Sequence, residues 1–199
     1  MAMTGRIDEQ TALVVVDVQN DFAHPDGSLY VEGGEHVVDG INELVREVRQ
    51  AGGLVVYTQD WHPPETPHFE AFGGTWPVHC VRDTWGAQLH DDLVVDGPVV
   101  RKGTGGEDGY SGFTVRHVHT GHEQPTELEQ LLRDHGIERV IVVGLAQDVC
   151  VKATAIDAAS LGFDTTVPLG LTRGVNVEPG DDERANQEMA AAGVHLEPA

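Results

Sequence analysis

Five short apolar runs, separated by segments with helical spacing, constrain the fold of this chain more than any other feature. They read ALVVVD (12–17), GLVVYTQD (53–60), GPVVRKG (97–103), ERVIVVGLA (138–146) and FDTTVPLG (163–170). Continuous apolar runs rich in β-branched residues are the pattern of strands covered on both faces. Between them, 35–51, 124–135, 150–161 and 181–192 read as helices. The second of these is expected to carry Pro125 near its first turn and to stop at Gly136. The alternation predicts an α/β chain, a parallel sheet between two helical layers. The residues after 181 read as a last helix and a short strand that close the sheet. In such sheets ligands gather beyond the C-terminal strand ends, where strand order reverses. Asp17, Asp60 and Lys102, which end three of the runs, are therefore expected to converge with the loop leading to Cys150.

Size and charge narrow the partners. A chain of 199 residues can bury a substantial core, and no repeat or linker divides it, so residues 1–199 are expected to form a single domain. Its 33 acidic residues against 12 basic ones give a formal charge of −21, which repels nucleic acid and anionic membranes. Both are set aside as partners. No apolar run approaches the roughly 18 residues of a membrane span, and none of signal length opens the chain. Cys80 and Cys150 are expected to stay reduced, as in a cytoplasmic enzyme.

Cys150 is the first candidate for chemistry. A thiol at the start of a helix over 150–161 would sit at the positive end of the helix dipole, which favours the nucleophilic thiolate. The nearby backbone N–H groups could then hold an oxyanion. A buried structural cysteine is the competing reading. Lys102 is one of only two lysines and ends an apolar strand, so it needs anionic partners. Asp17, ending a neighbouring strand, is the natural one. Together the three make a base, an electrostatic anchor and a nucleophile, or else an ordinary buried ion pair beside a thiol.

Residues 61–96 are the exception to the alternation. They hold Pro63, Pro64, Pro67, Pro77 and all three tryptophans, with little periodicity. So long an irregular segment predicts an insertion that builds a site wall. Asp60 and His62 alternate at a strand end and so share a face. His68 and His79 follow in the insertion. One carboxylate with two or three imidazoles suits zinc, iron or manganese.

Four stretches carry a resemblance: VVVDVQNDF (14–22), DWHPPETPHF with WPVHC (60–80), RKGTGGEDGYSGF (101–113) and GLAQDVCVKATAIDA (144–158). In this order and over roughly residues 11 to 170, the chain resembles the nicotinamidase/pyrazinamidase branch of the isochorismatase-like hydrolases. The resemblance implies a three-layer α/β/α fold on a six-stranded parallel sheet. It implies a catalytic triad of Asp17, Lys102 and Cys150, and a cis peptide at Leu145–Ala146. The N–H groups of Ala146 and Cys150 would form the oxyanion hole. One divalent transition metal would be held by Asp60, His62 and His79, with His68 where some members supply a fourth ligand. Phe22, Trp76 and Tyr110 match positions that line the substrate pocket, and Leu145 joins that set. The implied reaction is hydrolysis of the small molecule nicotinamide to nicotinate and ammonia through a thioester. Family members often self-associate, so a homo-oligomer is expected, although nothing in the sequence marks an interface. Two other readings stay open: a related amidase for maleamate, a carbamoyl compound or a ureido acid, and a non-catalytic metal- or ligand-binding module.

Overall fold

The protein is described by a computed structural model that covers residues 6–199. In chain order its elements are β1 (Thr11–Val16), α1 (Asn20–Ala23), α2 (Val38–Gln50), β2 (Leu54–Asp60), β3 (Val99–Lys102), β4 (Thr114–Arg116) and β5 (Glu123–Pro125). There follow α3 (Leu128–Asp134), β6 (Arg139–Leu145), α4 (Lys152–Ser160), β7 (Asp164–Pro168), β8 (Thr172–Arg173), α5 (Asp181–Ala191) and β9 (His195–Glu197).

The main sheet runs β3-β2-β1-β6-β7-β9, with every neighbouring pair parallel. A seventh strand, β8, pairs its Thr172 and Arg173 with Gly144 and Leu145 at the end of β6. The six-stranded expectation is corrected by this strand, whose two residues are too few to leave a periodic signal. Strand order grows outward from β1 to β3 and then returns to β6 on the other side of β1. That reversal places the C-terminal ends of β1, β2, β3 and β6 side by side, with Asp60 in register with Lys102 and Val16 with Gly144.

Alternate side chains of each strand enter opposite apolar layers, as a two-residue period requires. Leu13, Val15, Val55, Tyr57, Ile141 and Val143 pack with Ile41, Leu44, Val45 and Val48 of α2. Ala12, Val14, Val16, Val56, Val140 and Val142 pack with Leu128 and Leu132 of α3 and Ala155 and Ala158 of α4. Each fully buried Val or Leu contributes about 1.5–3 kcal/mol. Coverage on both faces explains why the runs are continuous rather than alternating. Among the described residues no helix is long and apolar enough to cross a membrane.

Two helix boundaries differ from the expectation. Residues 123–125 form β5, antiparallel to β4, and α3 begins only at Leu128. Pro125 thus ends a strand and lies outside any helical turn. The helix starts late because the Thr126 hydroxyl accepts the Leu128 N–H (3.2 Å) while the Thr126 N–H is held by Phe113 O (2.8 Å). The helix expected over 150–161 instead opens as a π-helical turn, Gln147–Val151, which continues into α4. Residues 61–96 contain no strand of the sheet. They are pinned by wholly buried Phe69, Cys80 and Ala87 and by bridges from His62 to Val81 and from Gln19 to Leu89.

Candidate active site

At the ends of β1 and β3, Lys102 is almost wholly buried and gathers four partners. Its Nζ lies 2.7 Å from Asp17 Oδ2, 2.5 Å from Asp60 Oδ1 and 3.8 Å from Cys150 Sγ. It also donates to Gly109 O. Asp17 adopts a left-handed backbone conformation (φ 49°), which aspartate tolerates better than most residues. Its Oδ1 accepts the Thr58 hydroxyl at 2.7 Å.

Charge and burial set the protonation of this cluster. Burial pushes the Asp17 carboxyl up to about 6, against the pull of Lys102 and with a further push from Asp60. Burial also acts to lift Asp60, but the Lys102 cation beside it outweighs this and holds that carboxyl well below the usual range. For Lys102 burial favours the neutral amine, yet Asp17 and Asp60 prevail and keep it charged. Burial pushes the Cys150 thiol well up, with only Lys102 among its main neighbours pulling it down. Contrary to the expectation from a helix start, Cys150 therefore has no ready thiolate. Cys150 sits inside the π-turn, deep in a site with two carboxylates, and rests as a thiol that needs a base.

Cys150 opens onto a small cleft. Phe22, Leu29, Trp76, Tyr110, Val149 and Val175 give it apolar walls, and Asp60, His68, His79, Gly109 and Ala146 complete the lining. Trp76 Nε1 donates to the Tyr110 hydroxyl at 3.0 Å, which ties the insertion to the loop after β3. No lysine or arginine lines the cleft. Leu145 does not line it either. Its side chain is fully buried in the core beneath Gly34, because inward and outward positions alternate along β6. The Leu145–Ala146 peptide is cis, and both cysteines are free and buried.

Beside the cleft, His62, His68 and His79 each offer a ring nitrogen, all within 4.8 Å of one another. Asp60 Oδ2 lies 3.7 Å from His62 Nε2 and 3.9 Å from His79 Nε2. His79 Nδ1 is 2.7 Å from Pro77 O, and His68 Nδ1 is 2.7 Å from Asp108 Oδ1. Burial lowers the His79 pKa to about 4 and lowers that of His68, so both rings stay neutral at pH 7. Neither nitrogen of the fully buried His62 has a hydrogen-bond partner. An imidazole buried that way is expensive unless something coordinates it. Three imidazoles beside a carboxylate form a donor set that fits one divalent transition metal.

The isochorismatase domain profile matches residues 11–197 of this chain. The chain belongs to the isochorismatase family. It is 39% identical to the nicotinamidase of Escherichia coli (strain K12), over 93% of each chain. The pyrazinamidase of Pyrococcus horikoshii, solved in complex with zinc, superposes with a TM-score of 0.84 at 37% identity, covering 96% of this chain and 99% of that one. PnC1 from L. infantum, solved in complex with nicotinate, superposes with a TM-score of 0.88 at 37% identity, covering 98% and 96%.

Several residues that this isochorismatase-family site uses escaped the sequence reading. Gln19 is wholly buried and clasps the Asp60 backbone from both sides, Oε1 accepting its N–H and Nε2 donating to its carbonyl, each at 2.8 Å. Asp21 accepts the Cys80 N–H at 2.7 Å and the Ser28 N–H at 3.0 Å. A Cβ on Gly86 would strike the Asp21 carboxylate at 2.2 Å, so only glycine fits against that residue. Gly103 (φ 73°) is likewise obligatory, since a Cβ there would meet the His62 ring at 2.5 Å. Asp148 accepts the N–H groups of Val175 and Asn176 and so holds one cleft wall. Gln19 and Asp21 lie within the stretch VVVDVQNDF, but their roles depend on partners more than 40 residues away.

Proposed function

We propose that this protein is a nicotinamidase, hydrolysing nicotinamide to nicotinate and ammonia. The observation that carries the reading is the placement of the Asp17–Lys102–Cys150 cluster at a cleft walled by Phe22, Trp76 and Tyr110. An uncharged heteroaromatic amide suits such walls. Maleamate and ureido acids lack the aromatic ring that these walls would enclose. A pure binding module has no use for a buried base–cation–thiol cluster.

The substrate ring is held among Phe22, Trp76 and Tyr110, with its carboxamide carbon toward Cys150. Asp17, as the carboxylate, takes the thiol proton while Lys102 steadies the growing negative charge. Sγ attacks the carbonyl carbon, and the oxyanion is received by the N–H groups of Ala146 and Cys150. Asp17 returns the proton to the amide nitrogen, the C–N bond breaks, and ammonia leaves a thioester. Water then attacks the thioester carbon as Asp17 takes its proton. Collapse breaks the C–S bond, the thiol is restored from Asp17, and nicotinate departs.

Asp60, His62 and His79, with His68, are the residues that would hold one zinc, iron or manganese ion. Bound there, the ion supplies a Lewis-acid anchor for the pyridine nitrogen, directly or through a water. The same reading takes residues 1–199 as one domain carrying the insertion at 61–96. The buried free thiols support a reducing, cytoplasmic setting.

The test is ammonia release from nicotinamide and from maleamate by the metal-loaded protein. Rapid turnover of nicotinamide alone is expected. Turnover of maleamate alone would replace this substrate assignment, and turnover of neither would reject the amidase reading.

A further inference from the structure

His68 enters the metal-ligand group from the middle of the insertion, where no strand supports it. Its backbone N–H donates to the Thr66 hydroxyl (3.2 Å), which in turn donates to Gly106 O (3.1 Å). Its ring is held by Asp108, whose Oδ1 lies 2.7 Å from His68 Nδ1. Asp108 is itself fixed. It exchanges both backbone hydrogen bonds with Arg116, each at 2.8 Å, and its Oδ2 accepts Arg116 Nη2 at 3.3 Å. An ionised carboxylate only accepts, so Nδ1 of His68 must carry the proton. That leaves Nε2 as the nitrogen with a free lone pair.

We propose that Asp108 is a positioning residue for the metal site: its carboxylate fixes the tautomer and ring direction of His68, and Arg116 at the end of β4 holds the carboxylate in place. The proposal rests on the metal reading above and deepens it. It gives the hairpin of β4 and β5, which contributes no side chain to the chemistry, a task at the site. Outer partners of this kind typically change metal affinity by about 10- to 100-fold.

The experiment is zinc titration of metal-stripped protein against a fluorescent chelator, with circular dichroism and thermal melts of the stripped forms. Asp108→Ala is expected to weaken zinc binding about 10- to 100-fold while the stripped fold and melting temperature hold. Asp108→Asn keeps an oxygen that can accept from Nδ1, so it should retain part of the affinity. Adding Asp108→Ala to His68→Ala should cost nothing further, because Asp108 acts through His68. A merely structural ion pair would lower the melting temperature and give additive losses. The proposal is overturned if Asp108→Ala and Asp108→Asn bind zinc within twofold of wild type while His62→Ala binds it far more weakly. Additive losses in the double variant overturn it too. If His62→Ala also binds zinc as wild type does, the metal reading itself falls, and the proposal with it.

Discussion

Lys102 Nζ lies 2.7 Å from Asp17 Oδ2, and neither side chain is reached by solvent. One ammonium there serves two carboxylates, since Asp60 Oδ1 is as close on its other side. Removing the cation strands both charges in the interior. Lys102→Met is therefore expected to destabilise the fold by about 3–5 kcal/mol as well as abolish turnover. Urea unfolding followed by fluorescence measures the first effect. A loss below 1 kcal/mol would mean that water or another cation compensates.

Cys150→Ala removes the nucleophile but leaves the cleft walls and the histidine group in place. Ammonia release should fall below about a thousandth of wild type, while calorimetry still detects nicotinamide binding. Residual turnover well above that level would exclude covalent catalysis by this thiol.

The Thr58 hydroxyl donates to Asp17 Oδ1 at 2.7 Å and so favours the ionised carboxylate. With burial pushing Asp17 up to about 6, the base is lost by protonation as pH falls through that region. The rate at low substrate, kcat/KM, should accordingly decline on the acid side and level off above it. Thr58→Val removes the hydrogen bond at nearly constant volume, which raises the carboxyl pKa further. Its acid limb should move toward higher pH in a kcat/KM profile, whereas an unmoved or lowered limb would take Asp17 out of the role of base.

Much of this site was legible because its residues end strands. Asp17, Asp60 and Lys102 each close an apolar run, and a parallel sheet with a reversal of strand order gathers such ends without further information. The parallel sheet itself followed from continuous runs such as ALVVVD and ERVIVVGLA. What stayed hidden depends on distance along the chain. Gln19 clasps Asp60 across 41 residues, Cys80 is fixed by Asp21 across 59, and no local period encodes either contact. The π-turn at 147–151 was hidden for another reason, since its residues have ordinary helical propensities. The resting state of Cys150 was hidden with it, because burial outweighs the helix-start effect and burial is not written in the local sequence.

Chelation tests the histidine group as a unit. Stripping the metal should lower activity, and adding back zinc, iron or manganese should restore it, with the best of the three identifying the resident ion. The stripped protein should also melt earlier, because an ion at 100 times its dissociation constant stabilises the folded state by about 2.7 kcal/mol. Unchanged activity and melting after verified removal would take Asp60, His62, His68 and His79 out of the role of ligands.

Asp148 tests how the cleft keeps its shape. Its carboxylate accepts the N–H groups of Val175 (2.9 Å) and Asn176 (2.7 Å), and Asn176 sits in a left-handed conformation (φ 50°) that those bonds help to hold. Val175 lines the cleft, so losing both bonds frees one wall without touching the triad. Hydrogen bonds to a buried charge are worth about 1.5–3 kcal/mol each, enough to tip this loop toward other conformations. Asp148→Ala should raise KM for nicotinamide about tenfold or more with a smaller change in kcat, and Asp148→Asn, which keeps one acceptor, should fall between. A fall in kcat at constant KM would instead mean that Asp148 acts on the π-turn that carries Cys150.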